Sequence, residues 1–113
     1  MKLYDMPLFS KSTISVKKGW LFLIRKMGKN IQIYCKMKKR TLPNIVQIKE
    51  KYGNLEIYLN DGDAIINSIV KKTQKEAEHI CECCGQKEAN LKKYDDGIFQ
   101  TLCDKCFQNK LKR

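Results

Sequence analysis

The chain has 113 residues, 42% of them apolar, and carries 23 Lys and Arg against 12 Asp and Glu, a formal charge of +11. That length accommodates one small domain with an appendage and excludes a large multi-part enzyme. The longest unbroken apolar run is Trp20 to Ile24, where a membrane span needs about 20 residues, and the first ten residues hold no apolar stretch of signal-peptide length, so a cytoplasmic protein is expected.

Residues 1–14 contain Pro7 and several Ser and Thr, and read as an irregular arm. From Lys18 the apolar positions Trp20, Leu23, Ile24, Met27, Ile31 and Tyr34 recur in steps of three and four, the mark of an amphipathic helix. Gly28 inside it weakens the helix by about 1 kcal/mol relative to Ala. A competing alternation, Ile31, Ile33, Cys35 and Met37, fits a strand, but the three-four pattern carries through to Tyr34 and favours helix to about residue 38. Trp20 lies on the apolar stripe and reads as a core anchor rather than a base-stacking residue. Pro43 and Asn44 break the chain.

Residues 45–59 read as a β-hairpin around a Gly53–Asn54 loop of the kind that suits a type I′ or II′ turn. That loop sets Tyr52 against Leu55, Glu50 against Ile57 and Ile48 against Leu59, with Lys51–Glu56 and Lys49–Tyr58 on the other face. Glu50 then points to the apolar side. An edge position with escape to water accounts for it better than catalysis, since no second acid, nucleophile or ordered base accompanies it. Asp63 is the expected N-cap of a second helix over 63–80, with Ile66, Ile69, Val70, Thr73, Ala77 and Ile80 on its core stripe. Residues 90–94 and 98–102 flank the turn Asp95–Asp96–Gly97 as a second hairpin, and a short basic helix opens at Cys103 and ends at Arg113.

The cysteines stand at 35, 81, 83, 84, 103 and 106. Cys81–Cys84 and Cys103–Cys106 are two C-x2-C pairs separated by 18 residues, a spacing suited to one structural Zn2+. Gly85 directly follows the first pair, where a knuckle often needs positive φ. A disulfide framework is disfavoured in a reducing cytosol, and a redox C-x-x-C usually occurs once, near a βαβ pattern not legible here. Cys83 or His79 could enter an alternative ligand set, at worse spacing; His79 reads as a residue of the last turn of the second helix. Cys35 reads as a small half-buried apolar residue. Four thiolates would close the coordination sphere, so the site is expected to be structural. The deaminase signature is not met: Glu82 falls one place too early after Cys81, and no proline precedes Cys103. Phe99 and Leu102 are expected to cover the ion.

The charge is uneven. Residues 1–60 hold 13 basic and 3 acidic side chains, residues 61–80 come out at −1 and residues 81–113 at +2. The candidate contact residues are Lys17, Lys18, Arg25, Lys26, Lys29, Lys36, Lys38, Lys39 and Arg40. A field of this kind favours nucleic acid or an acidic protein surface; a solvated, lysine-rich soluble surface is the plain alternative. The expected class is α+β. Over residues 1–80 a helix (about 18–38), a hairpin (45–59) and a second helix (63–80) pack together. Residues 81–113 form a treble-clef or ribbon-like zinc module continuous with that helix.

Gly19–Trp20 with Leu23–Ile24, Met27 and Ile31, then Gln47–Ile48–Lys49–Glu50–Lys51–Tyr52–Gly53 and Leu55, then Cys81–Glu82–Cys83–Cys84–Gly85 and Leu102–Cys103–Asp104–Lys105–Cys106, together resemble a family of small zinc-ribbon proteins of phages and bacteria. The resemblance spans roughly residues 19–106. It implies a single zinc-ribbon domain liganded by Cys81, Cys84, Cys103 and Cys106, with Cys83 at a variable position, in the cytoplasm of a bacterial host. It implies a fold and an origin, not a mechanism, and this chain departs from it in a lysine-rich first helix. The expected function is that of a non-enzymatic accessory protein of a phage or mobile element, binding nucleic acid or another polyanion through its basic N-terminal face. The alternative is an inhibitor that docks that face on an acidic or nucleic-acid-binding surface of a host defence enzyme.

Overall fold

A computed structural model describes residues 3–94 and 96–111. The fold is α+β, with two small sheets and three α-helices. Strand β1 (Thr13–Ser15) leads into helix α1 (Leu21–Lys38), followed by β2 (Asn44–Lys51), β3 (Asn54–Asn60) and helix α2 (Ala64–Ala77). The C-terminal part holds β4 (Asn90–Lys93), β5 (Phe99–Leu102) and helix α3 (Asp104–Leu111). In the first sheet β2 is central, parallel to β1 and antiparallel to β3. The β1–α1–β2 path is thus a short βαβ unit, contrary to the expectation that none is present. Its first strand has only three residues on a sheet edge, too short to leave a periodic signal.

The arm expected over residues 1–14 is core instead. Two short 3₁₀ turns fold it back, burying Leu3, Met6, Leu8 and Phe9, and Ser12 donates its hydroxyl to the Ile45 carbonyl. These four apolar residues follow no helical or strand period, which hid them. Gly28 shows what the arm requires of α1: a Cβ there would lie 2.7 Å from the Phe9 ring and 2.8 Å from the Met6 methyl. The cost of a mid-helix glycine therefore accompanies the seating of Phe9. Around it pack Trp20, Leu23, Ile24, Met27, Ile31 and Cys35 of the α1 region, Ile45, Ile48, Leu55 and Ile57 of the hairpin, and Ile66, Val70 and Ala77 of α2. The region 31–38 is helix. Alternation there was an accident of which polar residues fill the outer face.

The β2–β3 register differs from expectation by one step. The turn is Tyr52–Gly53, with φ of 54° and 82°, the positive pair that type I′ demands. Lys51 then faces Asn54, Glu50 faces Leu55, Lys49 faces Glu56 and Ile48 faces Ile57. Tyr52 is accordingly exposed rather than on the apolar face. A bulge between Ile45 and Gln47 turns Val46 outward and keeps Ile45 buried. Glu50 does face the apolar side, and its carboxylate accepts the Gly53 N–H at 2.6 Å, which makes it a turn clamp. Asp63 caps α2 as expected, accepting from the Ile66 N–H at 2.9 Å. Helix α2 ends at Ala77, so His79 lies in the turn beyond it, and Ile80 already bridges to Lys87. Asp95 in the second hairpin's turn and residues 112–113 of the expected last helix lie outside the described residues.

Candidate metal centre and cationic surface

Two local structures bring four sulfurs together. The first is the knuckle after α2: the Cys81 N–H donates to the Gln86 carbonyl and the Gly85 N–H to the Cys81 carbonyl, both at 2.9 Å. Gly85 holds φ at 82°, and a Cβ there would also sit 3.2 Å from the Gly19 carbonyl oxygen. The second is the start of α3, where Cys103 precedes the helix, Cys106 lies in its first turn, and the Phe107 N–H donates to the Cys103 carbonyl. Hairpin β4–β5 spans the gap between the pairs, with Asn90 opposite Leu102 and Lys93 opposite Phe99.

The Cys81, Cys84, Cys103 and Cys106 sulfurs all lie within 4.8 Å of one another, and Cys84 and Cys103 stand 3.7 Å apart. Four thiolates about 2.3 Å from a tetrahedral zinc would be separated by about 3.8 Å, so the cluster fits such an ion. Burial opposes ionisation of Cys81, but backbone N–H groups of Cys103, Cys84 and Cys83 aimed at its sulfur bring it down to about 7. Cys106 is pushed well up, by burial and then by the sulfurs crowding it. A metal cation would remove that conflict by favouring the thiolate form of all four sulfurs. With every corner taken by sulfur, no position remains for a reactive water.

Leu102 and Ala89 are buried behind the sulfurs. The expected partner Phe99 is not among the residues packed there; its ring lies under the Lys93 ammonium instead. Phe107 takes the place, tilted against Tyr94 with ring centroids 5.5 Å apart. Among the described residues the metal-ligating group is these four cysteines alone. His79 is exposed and engaged through its carbonyl with the Ala89 N–H. Cys83 is half-buried and lines a cavity with Lys17, Cys106, Asn109 and Lys110, and Cys35 is fully in the core.

The module is joined closely to the rest of the molecule. The Gly19 N–H donates to the Glu82 carbonyl at 3.0 Å, and the Trp20 indole N–H donates to the Ile80 carbonyl at 2.8 Å. Trp20 is fully buried, so it is a core anchor. At the tip of the first hairpin, Thr101 donates its hydroxyl to the Gly53 carbonyl at 2.6 Å. Glu82, only 2% exposed, is the residue that sequence reasoning missed. Its carboxylate accepts from the Thr101 N–H and the Gln100 amide and lies 3.6 Å from the Lys17 ammonium. Burial raises its pKa, and the nearby Glu50 carboxylate adds to the rise. An acid placed inside a cysteine knuckle was the available signal.

The nine candidate cations separate into three groups. Lys17 pairs with Glu82, Lys26 with Glu76 at 3.2 Å, and Arg40 with Asp63 at 2.9 Å while also donating to the Asp61 carbonyl. These three are tied to the fold. Arg25 is half-buried, and its Nε has no acceptor among the described residues. Lys18, Lys29, Lys36, Lys38 and Lys39 are exposed and form no ion pair among the described residues. Lys36, Lys38 and Lys39 cluster at the C-terminal end of α1, where Lys39 adopts a left-handed conformation (φ 52°) and cations suit the helix dipole. No described helix is long and apolar enough to cross a membrane.

The molecule defined by this fold and site is an α+β protein carrying a four-cysteine metal-binding module. No protein-family model, curated protein or solved structure matches the chain.

Proposed function

We propose that this is a zinc-dependent, non-catalytic accessory protein of a phage or mobile element that binds nucleic acid through the free cations of α1. Zinc is the metal that suits four thiolates in a closed tetrahedral site. The origin follows from the resemblance of the Gly-Trp helix, the Lys-Glu-Lys-Tyr-Gly hairpin and the cysteine motifs to phage and bacterial zinc ribbons. One observation supports the binding reading above the others: Lys36, Lys38 and Lys39 form an exposed cluster with no carboxylate partner among the described residues, in a chain that neutralises Lys17, Lys26 and Arg40 internally. Cations left without a carboxylate partner are available to phosphates, each of which releases a condensed counterion on neutralisation. The test is fluorescence anisotropy with single- and double-stranded DNA and RNA over a salt series. Binding that falls steeply with salt, and a Lys36, Lys38 and Lys39 triple Ala variant with a smaller salt slope and unchanged melting, would support it. An unaltered affinity in that variant would remove the cluster from the role. A second reading is docking on an acidic surface of a host enzyme. It is favoured by apolar side chains lying exposed beside the same cations, Ile33 and Met37 above all.

A further inference from the structure

Helix α1 buries Leu23, Ile24, Met27, Gly28, Ile31 and Cys35. At 3.6 residues per turn the opposite face carries Arg25, Lys29, Gln32 and Lys36 in one line. Immediately beside it runs a second line, interrupted by Lys26, which pairs with Glu76, whose apolar members are Phe22, Ile33 and Met37. These three side chains are 46%, 59% and 76% exposed. Phe22 leans over the Gly85 knuckle, with its ring edge 3.6 Å from where a Gly85 Cβ would lie. Ile33 and Met37, one turn apart, are more exposed than Phe22. Arg25 is half-buried, and its Nε is buried with no hydrogen-bond partner among the described residues.

We propose that the outer face of α1 is a docking surface for an acidic amphipathic helix of a protein partner, with carboxylates opposite Arg25, Lys29 and Lys36 and apolar residues over Ile33, Met37 and Phe22. This rests on the second functional reading and supplies its partner chemistry. The charge selects an acidic complement. The apolar line selects a protein over nucleic acid, because phosphates satisfy the cations and leave Ile33 and Met37 without a counterpart. A paired acidic and apolar stripe is what an amphipathic helix presents, and a helix laid along α1 engages both lines over its length of about 27 Å.

The experiment uses the zinc-loaded full chain and three labelled probes at about 0.15 M ionic strength. The probes are a helical peptide matching α1 in length with a Glu line beside a Leu line, a scrambled peptide of equal composition, and a single-stranded DNA. Anionic phosphatidylglycerol vesicles provide a fourth measurement. The expected result is a peptide affinity at least about tenfold above that of the scramble. In an Ile33→Ser, Met37→Ser variant it falls about tenfold, while DNA affinity and melting temperature stay unchanged. A Lys29→Gln, Lys36→Gln variant weakens both peptide and DNA. Equal binding of peptide and scramble overturns the proposal, as does peptide affinity unmoved by the Ile33 and Met37 changes. Vesicle binding lost in that variant, with no preference between peptides, makes a lipid surface the occupant and also overturns it. Loss of DNA binding in a Lys38→Ala, Lys39→Ala variant, which keeps Lys36, bears on nucleic-acid binding alone, so the two readings fail separately.

Discussion

Replacing Gly19 with Ala tests whether the metal module and the N-terminal core form one packed unit. A Cβ at this position would stand 2.2 Å from the Cys81 carbonyl oxygen and 2.6 Å from the carbonyl carbon and oxygen of Glu82. All three are backbone atoms flanking the knuckle, so no side-chain rotation relieves the overlap. Restoring contact distance requires the two segments to part by roughly 1 Å. That separation stretches the Gly19–Glu82 backbone hydrogen bond and the Trp20–Ile80 bond next to it. Overpacking of this kind costs about 1–3 kcal/mol, and each buried bond lost adds about 1 kcal/mol, for a total of about 3–5 kcal/mol. A domain of this size has about 5–15 kcal/mol of stability in all, and at about 4 °C per kcal/mol the melting temperature should fall by about 12–20 °C. The measurement is a circular-dichroism melt of the zinc-loaded variant with metal content determined in parallel. Zinc should stay stoichiometric, since no ligand is touched. Gly97→Ala is the control: nothing lies within 4 Å of its Cβ, and only its positive φ of 85° is strained, so a loss of about 1 kcal/mol is expected. A Gly19→Ala protein melting within about 3 °C of wild type would show that the junction is loose and that the module rests on the core without bearing on it.

Chelating the metal should unfold the segment from Cys81 onward and free the Ile80 carbonyl from the Trp20 indole, so the emission of the single tryptophan should shift to the red while α1 keeps its far-ultraviolet helical signal. Emission unchanged by chelator at stoichiometric metal loss would contradict the coupling. Glu82→Ala leaves the buried Thr101 N–H without its acceptor and should cost about 2–3 kcal/mol in a denaturant titration, whereas Glu82→Gln retains an acceptor oxygen and should cost about 1 kcal/mol or less; equal losses would deny the carboxylate this role. Asp63 accepts the Tyr34 hydroxyl, the Ile66 N–H and the Arg40 guanidinium, which hold its pKa down from 3.8 to about 2. Its folded pKa lies below the unfolded one, so the stabilisation is complete above about pH 4 and is lost as pH falls through about 2. Melting temperatures of wild type and Asp63→Asn should therefore converge over that window, the acid-labile metal site being common to both; parallel curves would refute the assignment.

The parts of the fold that a sequence discloses are those where one physical constraint acts alone. The four clustered cysteines were legible because two C-x2-C pairs at this separation are a strong metal-site pattern. Helix α1 and the N-cap Asp63 were legible because amphipathic period and local capping are short-range. The register of the first hairpin was not, because Gly53–Asn54 and Tyr52–Gly53 are both acceptable two-residue turns. The choice falls to tertiary contacts: Thr101 holds the Gly53 carbonyl and Leu91 packs where a Gly53 Cβ would be. The N-terminal turns were hidden for a related reason. Met6 and Phe9 pack against Gly28 across the core, a long-range contact that leaves no periodic mark in the sequence.

The same distinction separates the cations. Lys17, Arg40 and Lys36 are indistinguishable in a charge count, yet one closes the junction through Glu82, one braces the Asp63 cap and one stands free. Mutating Lys38, Lys39 and Arg40 together, the natural choice from sequence, would confound binding with folding, because Arg40 holds Asp63 and the Asp61 carbonyl. Removing Lys36, Lys38 and Lys39 leaves the ion pairs among the described residues intact. The metal module enters the same reasoning. Its knuckle supplies Glu82 and the carbonyls that receive Gly19 and Trp20, so an ion held there would act on α1 through the Lys18–Trp20 turn that precedes it. Any partner that reads the outer face of α1 therefore reads a surface whose placement depends on four thiolates at its far end.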